Sequence, residues 1–135
     1  MQRNDADPFR IENVISKRVI GSAIEVHKTP GGPGLLESVY EEALAWELAE
    51  TGMTVIRQKH VPITYKDKKL STSLRLDLLV ENCVIVECKA TIDYNSIFES
   101  QLLTYLRLTN LRLGMIINFG EKYVKDGVRR VVNGL

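Results

Sequence analysis

Between residues 74 and 89, two apolar runs, Leu74 to Val80 and Cys83 to Lys89, are separated only by Glu81-Asn82. So short a connection fits an antiparallel hairpin, because parallel strands need a crossover of a dozen or more residues. The first run alternates, with Leu74, Leu76, Leu78 and Val80 reading as one apolar face and Arg75, Asp77 and Leu79 as the other. On the second run Ile85, Glu87 and Lys89 share a face. Two acids and a lysine on a mostly apolar hairpin make little sense as core. With a two-residue turn, Asp77 would lie opposite Val86 and Glu87 would project from the other side of the sheet. A turn of three residues, Glu81 to Cys83, or a bulge brings Asp77 opposite Glu87. The constellation requires that offset.

Around the hairpin the chain reads as helices, then strands, then a helix and strands. Asp7-Pro8 predicts a helix start, with Asp as N-cap and Pro at the first helical position. Ile11, Val14, Ile15, Val19 and Ile20 follow at helical spacing, continued by Ala23, Ile24 and Val26. The breaker cluster from Thr29 to Gly34 ends that segment. A second helix is expected from about Leu35 to Thr51, with Leu36, Val39, Tyr40, Ala43, Leu44 and Leu48 facing the core and Gly52 at its C-terminal cap. Thr54 to Tyr65 is β-rich, and Lys66-Asp67-Lys68-Lys69 reads as a turn. Ser96-Ile97-Phe98-Glu99 matches a capping box that opens a helix apolar over much of its circumference. Met115 to Ile117 is a buried strand, and Val128 to Val132 adds a last one. The order α, α, β, β, β, α, β, β predicts an α/β fold with a mixed central sheet flanked by helices. With neither repeat nor linker, residues 1–135 read as one domain with a core at about 11–132.

Charge and cysteine usage narrow the classes. The formal net charge is +1, so nucleic-acid binding would need a local basic patch. Lys66, Lys68 and Lys69, and Arg129-Arg130, are the best candidates for phosphate contacts. Cys83 and Cys88 fall on one short strand with opposite parity and cannot pair there. With no secretory signal and no apolar run of membrane length, a reducing cytoplasm is the expectation, and no membrane partner. His27 and His60 lack matching zinc ligands. The glycines before the second helix lack the Lys-Ser/Thr of a nucleotide-binding loop.

Mg²⁺ or Mn²⁺ prefers hard oxygen ligands, and Mg²⁺ takes only one or two protein carboxylates. Asp77, Glu87 and the backbone carbonyl of Cys88 would supply a partial cage of that kind. Lys89 would orient a water and offset charge on phosphoryl oxygens. The competing reading is a surface Glu and Lys on an edge strand with an unrelated Asp.

Gly34-Leu35-Leu36-Glu37-Ser38-Val39-Tyr40 fits G-x-x-E-x-x-Y. With Arg75-Leu76-Asp77, Glu87-Cys88-Lys89 and Gln101-Leu102-Leu103-Thr104-Tyr105 downstream, the chain resembles the GxxExxY family, which is placed in the PD-(D/E)XK nuclease superfamily. The resemblance spans about residues 11–132 and implies a restriction-endonuclease-like fold and a Mg²⁺- or Mn²⁺-dependent nuclease acting on DNA or RNA. It implies that Asp77 is the principal metal ligand, and that Glu87 and Lys89 are the acid and lysine of the E-x-K element. Glu37 would be the helix acid that helps hold the metal, often through water, and Gln101 a polar residue lining the site. Leu76 stands where the superfamily's name has proline, and Cys88 stands where an aliphatic residue is more usual. Tyr40 and Tyr105 would support the site, although such tyrosines are more often core residues with a satisfied hydroxyl. No appended specificity domain is evident, so the expectation is either weak sequence specificity or dependence on a homodimer or a partner protein to select the substrate. The rival expectation is a non-catalytic nucleic-acid-binding or protein-assembly module that keeps the fold.

Overall fold

The computed structural model describes residues 7–135. Asp7 does not cap the first helix. Its Oδ1 accepts the Phe9 N–H at 2.9 Å and its carbonyl accepts the Arg10 N–H at 3.3 Å, which closes a separate turn. Helix α1 (Ile11–Lys28) therefore begins with Arg10 as N-cap. It buries Ile15, Val19, Ala23 and Val26 but leaves Ile11, Val14 and Ile24 exposed.

Helix α2 (Glu37–Glu50) turns Tyr40, Glu41, Leu44, Ala45 and Leu48 inward. Leu36 precedes the helix and is 72% exposed, and Val39 is also exposed, so the buried stripe is rotated from the expected one. A carboxylate, Glu41, occupies the position that apolar counting assigned to the flank. The helix ends in a Schellman motif: Gly52, at φ 91°, donates to Ala49 O, and Met53 N–H donates to Leu48 O.

Strands β1 (Val55–Tyr65), β2 (Lys68–Val80) and β3 (Val84–Lys89) follow, then α3 (Ile97–Thr109), β4 (Leu113–Asn118), a 3₁₀ turn (Val124–Gly127) and β5 (Val128–Val132). The expected element order holds. The sheet runs β1-β2-β3-β4-β5, antiparallel throughout except for the β3/β4 pair, which α3 connects as a crossover. Helices α1 and α2 cover one face and α3 the other. Two corrections concern turns and caps. Only Lys66-Asp67 forms the β1–β2 turn, both at positive φ, with Tyr65 paired to Lys68, so Lys68 and Lys69 belong to β2. No capping box forms at α3, because Ser96 already has helical dihedrals. Asn95 Oδ1 accepts the Ile97 N–H instead, and Tyr94 draws Glu99 away through a 3.1 Å hydrogen bond. Helix α3 is also more one-sided than expected, burying fully only Leu102 and Leu106.

The β2–β3 turn has the required length. Val80 pairs with Val84 and Cys83 N–H donates to Val80 O, so Glu81, Asn82 and Cys83 form a three-residue loop, with Glu81 and Asn82 at positive φ. Cys83 therefore lies in the turn rather than on the strand. A second expectation fails on β2. Leu78 and Val80 enter the core beneath α1 and α2, whereas Leu74 and Leu76 join the core beneath α3. An unbroken strand would put all four on one face, so side-chain parity switches between Leu76 and Leu78. Asp77 sits at the switch.

Candidate active site

Strand β2 carries Asp77 and strand β3 carries Glu87. Pairing of the two strands runs from Val80/Val84 through Leu79/Ile85 to Leu78/Val86. The next step of that register sets Asp77 against Glu87, and there side chains replace the ladder. Asp77 N–H donates to Glu87 Oε2 at 2.8 Å, and Cys88 N–H donates to Asp77 Oδ2 at 2.9 Å. Each carboxylate thus caps the backbone of the opposite strand with one oxygen. Among the described residues nothing hydrogen-bonds the other oxygens, Asp77 Oδ1 and Glu87 Oε1, and neither is sealed from solvent.

Burial makes this pair electrostatically unusual. Glu87 is only 9% exposed. Its carboxyl is pushed up to about 8, first by burial and then by the Asp77 charge, against the lowering effects of the Asp77 N–H and Lys89. Asp77 is raised to about 6 by burial, with Glu41 and Glu37 adding to the rise and the Cys88 N–H and Lys89 opposing it. Four acids from three elements act on one small volume.

Lys89 leaves β3 on the α3 side, and its Nζ lies 4.4 Å from the centre of the Phe98 ring, a cation–π contact that fixes the ammonium group. Tyr105 is half-buried on the same helix, and its phenol is raised by burial and then by the Glu87 and Asp77 charges. Gln101 lies between Phe98 and Tyr105 in helical phase but is exposed and bonds neither carboxylate. Glu37, in the first turn of α2, is also exposed. Cys88 is fully buried beneath α1 and α2, away from Lys89. Lys89 O accepts the Phe119 N–H on the β4 side, so strand alternation turns the Cys88 N–H and carbonyl toward the Asp77 gap.

Tyr40 is a core residue. Its hydroxyl donates to Gly32 O at 2.9 Å and accepts the Leu35 N–H at 3.1 Å, while its ring stacks on Phe119 at 4.6 Å. It therefore staples the glycine-rich loop, whose Gly32 and Gly34 have positive φ, to the start of α2.

Two polar residues were missed by sequence reasoning. Glu41 is 4% exposed, accepts both 2.8 Å hydrogen bonds from Gln58 Nε2, and pairs with Arg57 at 3.2 Å. Its signal was its place three and seven residues before Leu44 and Leu48 on the buried stripe. Asn118, buried at the end of β4, accepts the Thr91 and Gly120 N–H groups and donates to Thr91 O. It clamps the loop that leaves Lys89, and no periodicity in the sequence marks it.

Among the described residues no group of three or more His, Cys, Asp or Glu is arranged as a metal cage. Two carboxylates and a carbonyl are all oxygen donors, however, and two protein carboxylates are as many as Mg²⁺ ordinarily takes. The donor set fits a hard divalent cation.

No described helix is long and apolar enough to cross a membrane. The chain has no significant match among curated proteins or among solved structures. The profile of the PD-(D/E)XK nuclease superfamily matches residues 13–131. The five-stranded mixed sheet flanked by helices agrees with the restriction-endonuclease-like fold of that group. On this match and this fold, the chain belongs to the PD-(D/E)XK nuclease superfamily.

Proposed function

We propose that this protein is a divalent-metal-dependent nuclease of the GxxExxY type that hydrolyses phosphodiester bonds, with residues 1–135 as one domain around a core at about 11–132. The observation that carries this reading is the reciprocal capping of Asp77 and Glu87. A buried and a half-buried carboxylate held face to face, both driven toward the protonated form, gain most from a cation between them. Asp77, Glu87 and the Cys88 carbonyl would hold Mg²⁺ or Mn²⁺, with Glu37 contributing through water. The bound ion would lower the pKa of a water and offset charge on the phosphate.

The remaining roles belong to the chain. Lys89, steadied over Phe98, donates to the attacking water or to a non-bridging phosphate oxygen, where charge grows as the bond to phosphorus forms. Gln101, in phase with Phe98 and Tyr105, reaches the substrate from α3. Glu41 acts one layer back by holding Gln58 and Arg57 beside Asp77.

Cleavage of end-labelled DNA and RNA with and without Mg²⁺ or Mn²⁺ tests the reading. Wild type is expected to cut only with the ion, and Lys89→Ala to lose about a hundredfold in rate, as when one charge-stabilising donor is removed. Wild-type protein that binds neither ion and cuts neither polymer would leave the assembly-module reading standing instead.

A further inference from the structure

Strand β2 pairs with β3 only at Leu78 to Val80, whereas it pairs with β1 out to Lys68. From Lys59/Leu76 outward the two strands form a ribbon beyond the sheet, roughly 20 Å long at ~3.3 Å per residue. Its inner face is anchored, since Val61, Ile63, Leu74 and Leu76 join the core beneath α3. Its outer face, with His60, Pro62, Ser73 and Arg75, is exposed, as is the tip from Thr64 to Thr72.

The ribbon's charge departs sharply from that of the chain. Lys59, Lys66, Lys68, Lys69 and Arg75 fall within residues 59–75 against one acid, Asp67, a formal +4 in a chain whose total is +1. Lysine and proline on an edge strand also discourage strand addition, which accounts for Lys59 and Pro62 on β1. The outer stretch of β2 is likewise paired on one side only, so Lys68 and Lys69 serve that purpose too, but edge protection does not explain Lys66 in the turn or an excess of five cations over one acid. Protein interfaces are depleted in lysine, whereas phosphate contacts come from lysine, serine and threonine together, and Ser71, Thr72 and Ser73 lie beside these lysines, all exposed.

We infer that the β1–β2 ribbon is the arm that grips duplex DNA on one side of the cleavage point. The inference rests on the nuclease reading of Asp77 and supplies its substrate class. The ribbon starts at Asp77, so its basic tip meets phosphates about 20 Å away, roughly six base pairs at ~3.4 Å each. A two-stranded ribbon fits the major groove of B-form DNA, and the deep, narrow major groove of A-form RNA excludes it.

The test is anisotropy titration of full-length protein in metal-free buffer across a salt series, using a labelled DNA duplex and an RNA duplex of the same sequence. Wild type is expected to prefer DNA. The triple variant Lys66→Ala/Lys68→Ala/Lys69→Ala is expected to lose tenfold or more in affinity at low salt and to flatten the salt slope by about 2–3. These side chains are exposed, and Arg75→Ala, a separate substitution on the outer face, should weaken binding in the same direction. Unchanged affinity and slope in the triple variant, or equal affinity for the RNA duplex, overturns the arm. Asp77→Ala separates the two readings: it should abolish Mg²⁺-dependent cleavage, whereas the ribbon variants are read by DNA affinity without metal. Cleavage that survives Asp77→Ala removes the proposed active site, whatever the ribbon variants do.

Discussion

Gln58 stands opposite Asp77 across the β1–β2 ribbon, in the one-residue gap between the Arg57/Leu78 and Lys59/Leu76 pairs, and neither residue joins the pairing ladder there. Gln58 has φ 52°, a left-handed conformation unusual in a strand. On β1 the parity switches as it does on β2: Ile56 and, beyond the break, Val61 and Ile63 all turn toward α3. The paired break lets the ribbon keep an apolar underside while turning Asp77 out of the ladder toward Glu87. Glu41 holds the break from α2 through the Gln58 amide.

A backbone test follows from that conformation. Gln58→Gly and Gln58→Ala both lose the Glu41 hydrogen bonds, but glycine adopts positive φ freely. Gln58→Gly should therefore be the more stable of the two by about 1 kcal/mol in urea denaturation. Equal stabilities would mean that the left-handed backbone at Gln58 carries no strain.

Removing the acid behind the break should be more damaging. Glu41→Ala takes both acceptors from the half-buried Gln58 amide, removes the ion pair of the exposed Arg57 and leaves a void in the α2 stripe. A loss of about 2–3 kcal/mol is expected. The Glu41→Gln variant keeps an acceptor for Gln58 and should recover part of the loss. Denaturation midpoints of the two variants decide this.

The site's acidity should oppose folding in the absence of a cation. The folded carboxyls titrate at about 6 for Asp77 and about 8 for Glu87, above their ordinary values of 3.8 and 4.5. In that window the folded chain binds more protons than the unfolded one, so their contribution to stability is greatest near pH 4 and is lost as the pH rises toward about 8. Metal-free protein should melt at a lower temperature at pH 8 than at pH 5. Glu87→Gln should flatten the profile and raise stability at pH 8 by about 1–3 kcal/mol. Excess Mg²⁺ should restore wild-type stability at pH 8.

Much of this was legible in the sequence. Element order followed from alternation and spacing. The Glu81–Cys83 turn was legible only as one of two ways, the other being a bulge, to set Asp77 against Glu87, because a one-residue slip moves a whole side-chain set to the other face. The switch at Asp77 was not legible, because Leu74, Leu76, Leu78 and Val80 satisfy an unbroken strand equally well. The distortion depends on Gln58, which lies nineteen positions away in sequence and has no turn signature. Glu41 was missed for a related reason: a carboxylate at a core position is read as a surface residue until its partners on β1 are in place.

The loop after Lys89 should be the least tolerant part of the fold near the site. A Cβ on Gly120 would lie 2.4 Å from Thr91 O and 2.6 Å from Thr91 N, both backbone atoms that cannot move aside. Gly120→Ala should cost about 1–3 kcal/mol and loosen the Asn118 clamp. Amide exchange at Thr91 would report it as lost protection.

The central claim is that Asp77 and Glu87 share one divalent cation, and calorimetric titration of Mn²⁺ into the protein near pH 7 tests it most directly. Repeating the titration in buffers of different ionisation enthalpy counts protons, because a carboxyl at about 8 must lose its proton when the ion binds. One site per chain is predicted, with proton release that disappears in Glu87→Gln and binding that is lost in Asp77→Asn. Binding that is absent in wild type, or unchanged in both variants, would contradict the account.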